Sequence, residues 1–79
     1  MDASMSRYDK VDLAYEFFKE KESLSESFTI KQLADATGWT EGACKTYPSK
    51  RWHQYIEKDG AQYTTSGISY LSKAEFRAV

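Results

Sequence analysis

The stretch that decides the fold of this chain is TIKQLADATGWTEGAC, residues 29–44. Thr29 and Gln32 have the spacing of a capping box, in which each side chain binds a backbone N–H that the first helical turn leaves unpaired. Gly38 is placed to adopt the left-handed conformation that ends a helix, and Thr40 is a preferred cap for the next helix. The stretch therefore predicts two short helices joined by a glycine turn.

The composition predicts one small domain. A chain of 79 residues has one core, because a chain of this size buries only about 60 % of its unfolded surface. The single cysteine, Cys44, excludes an internal disulfide, and no cysteine–histidine cluster has the spacing of a zinc site. The N-terminal region has no apolar run, which indicates neither a signal peptide nor a membrane span. We therefore expect a single cytoplasmic domain over residues 1–79, without metal or cofactor.

The charge is small overall but unevenly distributed. The formal net charge is −1, which argues against nucleic-acid binding, because affinity for DNA comes largely from cations that displace counterions. Residues 1–30 carry four Lys/Arg against seven Asp/Glu, a net of −3, whereas residues 31–79 carry seven against five, a net of +2. The charge is therefore polarised, with the positive part in the C-terminal residues, which softens the objection from the net charge.

Apolar residues spaced three and four apart predict the helices. The first helix is expected over residues 7–22, with Ser6 and Asp9 closing its first turn, and residues 19–27 are expected to fray into a loop. The second helix is expected over Ile30–Thr37 and the third from Glu41 to about His53. The residues expected to share one core are Val11, Tyr15, Phe18, Leu33, Ala34, Cys44 and Trp52.

The pattern changes from helical to alternating after the third helix. Two alternating runs flank Asp59-Gly60, which predicts a β-hairpin over residues 55–65 with these two residues as its loop. Ser72 and Glu75 then have capping-box spacing and predict a short last helix. Two explanations for this short helix stay open. Either the domain is part of a longer polypeptide or assembles with a second copy of itself, or Phe76 docks on the first helix and closes the fold.

The predicted order of elements resembles the winged helix-turn-helix family. The resemblance covers residues 8–65 and depends on Leu33-Ala34, on Gly38 four residues after Ala34, on the inward positions Cys44 and Tyr47, and on the hairpin that follows directly. It implies a mainly helical fold with a three-helix core, a small β-hairpin as wing and a short C-terminal helix. In that family the third helix usually enters the major groove of double-stranded DNA and the hairpin touches the flanking backbone. The resemblance therefore implies a DNA-binding domain, with a role in transcriptional regulation.

One face of the third helix carries the mixture of residues that DNA reading needs. Lysines bind phosphates or guanine edges, and small hydroxyls approach bases without bulk. The candidate DNA contacts are Thr40, Lys45, Thr46, Ser49, Lys50, His53 and Lys58. Two alternatives stay open: a solvated helix face without a ligand, and a winged-helix module that binds a protein partner within a larger protein.

Two other features have structural explanations. Pro48 lacks the N–H that would bind Cys44 O, so it predicts a bend in the third helix, either as a fit to a groove or as a local break that Trp52 and Tyr55 anchor. The aromatic residues recur at inward spacings, so we expect core and rim positions before stacking platforms for single strands.

The sequence does not predict an enzyme. Cys44 and His53 are nine residues apart on one predicted helix, which separates them by about 13 Å along its axis and excludes a dyad. The acidic residues of the first helix are expected to be solvated or paired with Lys19, rather than to act as an acid–base pair. These acidic residues are Asp9, Asp12, Glu16 and Glu20.

Overall fold

The chain is mainly helical, with one antiparallel β-hairpin between its third and fourth helices. This computed structural model describes residues 9–78, so the expected beginning of the first helix at residue 7 and its Ser6 cap lie outside the described residues. The elements are α1 (Asp9–Leu24), α2 (Ile30–Thr37), α3 (Glu41–Arg51), β1 (Ile56–Asp59), β2 (Gln62–Thr65), a 3-10 helix (Ile68–Tyr70) and α4 (Lys73–Ala78). The predicted fold class of helices with a small hairpin is confirmed. Within residues 9–78, no helix is both long and apolar enough to cross a bilayer.

The caps of α2 and α3 are formed as the sequence predicts. The Gln32 N–H donates to Thr29 Oγ1 (3.2 Å), and the Thr29 N–H donates to Gln32 Oε1 (2.9 Å). Gly38 ends α2 at φ +86°, in the left-handed region that favours glycine. The Ala43 N–H then donates to Thr40 Oγ1 (3.1 Å) at the start of α3. These local contacts fix the angle at which α3 leaves α2.

All four helices and the hairpin contribute to one core. Six of the seven predicted core residues are buried, and Ala34 packs against them half-buried. Phe76 of α4 is fully buried and its ring stacks on Trp52, with centroids 4.2 Å apart and planes within 7°. Phe76 also lies against Tyr15 and Phe18 of α1, so it docks on the first helix, as the second of the two alternatives for this segment states. The core consists of Val11, Ala14, Tyr15, Phe18, Phe28, Leu33, Cys44, Trp52, Ile68 and Phe76.

The hairpin is present, but its loop is displaced by one residue from the predicted one. Asp59 pairs with Gln62, so the loop consists of Gly60 and Ala61 and not of Asp59 and Gly60. Gly60 has φ +66° while Ala61 stays outside the left-handed region, as in two-residue loops that need glycine at the first position alone. The prediction of Asp59-Gly60 is wrong because the Asp-Gly pattern presumes positive φ at both loop positions.

The first helix is longer than predicted at its C-terminal end. Residues 19–27 were expected to fray, yet α1 continues to Leu24. The Glu22 carboxylate accepts hydrogen bonds from the backbone N–H groups of Ile68 (2.7 Å) and Ser69 (3.1 Å) and from the Ser69 hydroxyl (2.9 Å). This anchor holds the last turn of α1 against the 3-10 helix, a contact between residues far apart in sequence.

The third helix ends earlier than predicted. It runs through the buried Pro48 to Arg51 and stops before His53, because the chain turns there into the hairpin. The Trp52 N–H donates to Pro48 O (2.8 Å), and the Tyr55 N–H donates back to Trp52 O (2.8 Å). Trp52 is therefore the residue at which the helix ends and the turn begins.

Two acidic residues of α1, Asp12 and Glu16, pair with α4, whereas the sequence predicts that they are solvated or paired with Lys19. Arg77 holds Asp12 through two hydrogen bonds, from Nε to Oδ1 (2.9 Å) and from NH2 to Oδ2 (2.6 Å). Lys73 lies 3.7 Å from Glu16 on the exposed side of the same contact. Lys19 instead lies over the ring of Tyr15. We call the contact formed by Asp12, Glu16, Lys73 and Arg77 the α1–α4 seam.

Candidate functional site

A cleft of about 200 Å³ lies between α3 and the hairpin. Four of the seven candidate contacts line it, and two further hairpin residues complete it. The lining residues are Lys45, Ser49, His53, Ile56, Lys58 and Tyr63. We call this feature the α3–hairpin cleft. The structure thus brings together most of the residues that the sequence singles out.

The α3 side of the cleft follows from helical spacing. Lys45, Ser49 and His53 are four residues apart, and residues at this spacing lie one above another on a helix surface. Lys45 and Ser49 are on α3, whereas His53 lies in the turn after its end, so the stripe continues past the helix. All three side chains are exposed. The shared face predicted from the sequence is therefore confirmed for these residues.

The hairpin side of the cleft separates basic from acidic residues. Side chains alternate between the two faces of a strand, and Lys58 pairs directly with Tyr63 of β2. Ile56, Lys58 and Tyr63 therefore share the face that lines the cleft. Glu57 and Asp59 alternate with them and lie on the opposite face. Although two acidic residues flank Lys58 in the sequence, neither lines the cleft.

Within residues 9–78, the lysines of this surface have no ion pair. No carboxylate in that range lies within salt-bridge distance of the ammonium groups of Lys45, Lys50 or Lys58. An exposed cation without such a partner is able to attract an anionic ligand. Among the residues that the structure describes, the cleft is lined by two lysines, Lys45 and Lys58, and by no carboxylate.

The remaining candidate contacts lie outside the cleft. Lys50 and Thr46 are exposed on α3, and the Thr46 hydroxyl donates to Gly42 O (3.2 Å) within the helix. Thr40 lies at the beginning of α3, where its hydroxyl oxygen accepts the capping hydrogen bond from Ala43. Thr40 therefore caps α3 and Thr46 binds within the helix, whereas the exposed side chain of Lys50 forms no hydrogen bond or ion pair within residues 9–78.

Two residues of the cleft were missed by sequence reasoning. Ile56 and Tyr63 are half-buried and form its apolar part. Strand alternation indicates that both share a face with Lys58, so the signal was present in the hairpin pattern. It was overlooked because both residues also pack against the core. Arg51, also on α3, turns away from this surface and donates to Tyr47 Oη and to Arg77 O.

Cys44 lies on the opposite, inward side of α3 from the cleft. It is buried, and burial raises the pKa of its thiol despite a hydrogen bond with Thr37 that acts in the other direction. A thiol of this kind is a weak nucleophile at neutral pH. In the part of the chain that the structure describes, no three His, Cys, Asp or Glu side chains are grouped closely enough to hold a metal ion.

Comparison with known proteins gives no assignment. No family model, no curated protein and no solved structure matches this chain.

Proposed function

We propose that this chain is a winged helix-turn-helix domain that binds double-stranded DNA through α3 and the hairpin, in transcriptional regulation. The observation that carries the proposal is the α3–hairpin cleft, which Lys45 of α3 and Lys58 of the hairpin both line and in whose lining no acidic residue is found among the described residues. Lysines of this kind release counterions when they bind phosphates, and this release supplies most of the non-specific affinity of a protein for DNA.

The arrangement of the strands supports the winged layout. Phe28, between α1 and α2, pairs with Tyr63 of β2 through two backbone hydrogen bonds of 2.7 and 2.8 Å. The chain therefore runs through a helix, a single extended residue, two helices and a hairpin that returns to pair with that residue. This order is the one expected for the family that the sequence resembles, and it sets the hairpin beside α3.

The side chains of α3 suit contact with a duplex. Lys45 and Lys50 reach phosphates or guanine edges, and Ser49 and Thr46 are short hydroxyl-bearing residues next to them. Lys58 extends the basic surface onto the hairpin, where it contacts the backbone beside the groove. We infer that α3 supplies base contacts and that the hairpin supplies contacts that position the domain.

A protein-binding module has less support. The large apolar side chains that are exposed within residues 9–78 are Leu13, Leu24 and Tyr70. Leu13 and Leu24 are about 16 Å apart along α1, and Tyr70 lies on the 3-10 helix. Three exposed apolar residues, two of them this far apart, are ordinary on a protein surface, whereas a protein interface is expected to present a larger contiguous patch.

Titration of a fluorescent duplex at several salt concentrations tests the proposal. We expect binding at about 50 mM salt and a steep loss of affinity by about 200 mM, because counterion release weakens as salt rises. K58E is expected to weaken binding strongly. K19E makes the same change of net charge on α1 and is the matched control, expected to have a small effect. Absence of binding at the lowest salt would reject DNA as the ligand and favour the interaction module.

A further inference from the structure

The α3–hairpin cleft has a composition that backbone phosphates alone do not explain. Its rim carries the cations Lys45 and Lys58, but Ile56 and Tyr63 give it an apolar and aromatic wall. A phosphate group has no apolar surface to place against such a wall. A ligand that fills the cleft must therefore combine a flat apolar ring with a negative charge.

The aromatic wall is held rigidly. Phe28 stacks on Tyr63 with ring centroids 6.0 Å apart and an angle of 22° between the planes. The backbone of the same two residues is joined by hydrogen bonds in both directions. Tyr63 is only half-buried and lines the cleft, so part of its side chain remains accessible there. A ring fixed in this way loses little side-chain entropy when a second ring stacks on it.

The size of the cleft limits the ligand. A volume of about 200 Å³ is smaller than the roughly 300 to 1,000 Å³ of sites that enclose cofactors or drug-sized molecules. One nucleobase is of this size, whereas a dinucleotide cofactor is not. A base within a duplex is stacked on both sides and presents only its edge, so it does not enter a concave site.

We propose that the cleft binds one unpaired nucleotide of a DNA strand, with its base on Tyr63 and Ile56 and its phosphate between Lys45 and Lys58. Ser49 and His53 lie on the α3 side, where their polar atoms reach the edge of the base. The domain thereby prefers duplexes that contain an unpaired nucleotide, such as a single-nucleotide bulge, over fully paired duplexes. This inference rests on the proposed DNA binding and narrows its substrate class.

The experiment compares three duplexes of one sequence: fully paired, with a one-nucleotide bulge, and with a bulge that lacks its base. Stacking of a base on an aromatic side chain corresponds to about 5- to 150-fold in affinity. We expect the bulged duplex to bind more tightly than the paired one by a factor in this range. The abasic bulge keeps the flexible backbone without the ring, so it is expected to bind like the paired duplex.

Three variants locate the effect. S49W places a bulky ring in the cleft from an exposed position and is expected to reduce the preference for the bulge to about 1. S23W makes the same replacement at an exposed serine of α1, away from the cleft, and is expected to keep the preference. Y63L retains an apolar contact with Phe28 and is expected to remove the preference as well. Because Tyr63 also packs on the core, the Y63L variant can fail to fold. In that case the result for S49W tests whether the cleft binds the unpaired nucleotide.

Each outcome bears on one proposal or the other. Equal affinity for paired and bulged duplexes, or a preference that survives S49W, would overturn the unpaired-nucleotide site and leave duplex binding intact. No binding to any duplex at low salt would overturn both. A free nucleoside monophosphate is expected to bind far more weakly than the bulged duplex, because it lacks the neighbouring phosphates. Equal affinity for the free nucleotide would contradict a site for a nucleotide within a strand.

Discussion

The α1–α4 seam and the α3–hairpin cleft use charged residues in opposite ways. At the seam Arg77 binds Asp12 through two hydrogen bonds, and Lys73 approaches Glu16. Lys45 and Lys58 both line the cleft, and among the described residues no carboxylate lines it or pairs with them. Charges of the first kind are paired within the fold, whereas charges of the second kind are the ones that we propose bind a ligand.

Because the charges of the two regions are paired differently, variants of the seam are expected to change the stability of the fold, and variants of the cleft are expected to change binding. Removing a charge that is paired inside the fold leaves its partner with an unsatisfied charge, so the fold loses stability. Removing an exposed cation that has no intramolecular partner leaves the fold nearly unchanged, and any effect then appears in binding. Variants of the two regions are therefore expected to affect different measurements.

The largest expected effect is that of F76A on the seam side. Phe76 is fully buried against Trp52, Phe18 and Tyr15, so its truncation is expected to lower the free energy of unfolding by about 3 to 5 kcal/mol. Urea unfolding measures the change. The control is Y70A, which removes an aromatic side chain that is 89 % exposed and is expected to cost about 0.5 kcal/mol or less. A loss below about 1 kcal/mol for F76A would show that α4 is not part of the core.

A smaller loss is expected from R77Q, which breaks the two hydrogen bonds to Asp12. The side chains of this pair are 36 % and 23 % exposed, so solvent screens part of the interaction and the expected cost is about 1 kcal/mol. K73Q removes the longer and more exposed pair with Glu16 and is expected to cost about 0.3 kcal/mol. Equal effects of the two variants in urea unfolding would contradict the special role of Arg77.

The free energy of unfolding is expected to depend on pH through two carboxylates, Asp12 of the seam and Glu22 of α1. The hydrogen bonds from Arg77 hold the pKa of Asp12 below its ordinary value. Partial burial alone would raise the pKa of Glu22, but its hydrogen bonds with Ser69, Ile68 and Thr65 outweigh burial, and the pKa is lowered. Each lowered pKa contributes stability above the unfolded-state value, about 3.9 for Asp and 4.3 for Glu, and this stability is lost as the pH falls through the folded-state value.

Unfolding experiments between neutral pH and about pH 3 measure this dependence. D12N and E22Q are each expected to be less stable than the unmodified protein at neutral pH and to lose less stability below about pH 4. If both variants follow the same pH curve as the unmodified protein, neither carboxylate carries the acid sensitivity.

Most of the helical framework could be predicted from the sequence because its signals are local. The capping box of Thr29 and Gln32, the left-handed Gly38 and the cap Thr40 each depend on residues within one turn. The shared face of Lys45 and Ser49 follows from helical spacing alone. Such features depend on neighbouring residues and need no contact with distant parts of the chain.

The features that sequence reasoning missed depend on distant contacts. Glu22 anchors the 3-10 helix 46 residues further along the chain, and Arg77 reaches Asp12 across 65 residues. No local pattern indicates either partner. The hairpin register depended on whether Gly60 takes the first or the second loop position, which the Asp-Gly pair does not decide. The aromatic wall of the cleft also depends on a distant contact, because Phe28 stacks on Tyr63.

The most direct test of the central claim is the salt dependence of duplex binding by the triple variant K45Q/K50Q/K58Q. Within the described residues these lysines have no ion pair, so the free energy of unfolding is expected to change by no more than about 0.5 kcal/mol. The slope of the logarithm of the binding constant against the logarithm of the salt concentration is expected to become shallower by about 0.9 for each lysine. K73Q, at the seam, is expected to leave the slope unchanged. An unchanged slope in the triple variant, or an equal change in K73Q, would contradict the assignment of DNA binding to the α3–hairpin surface.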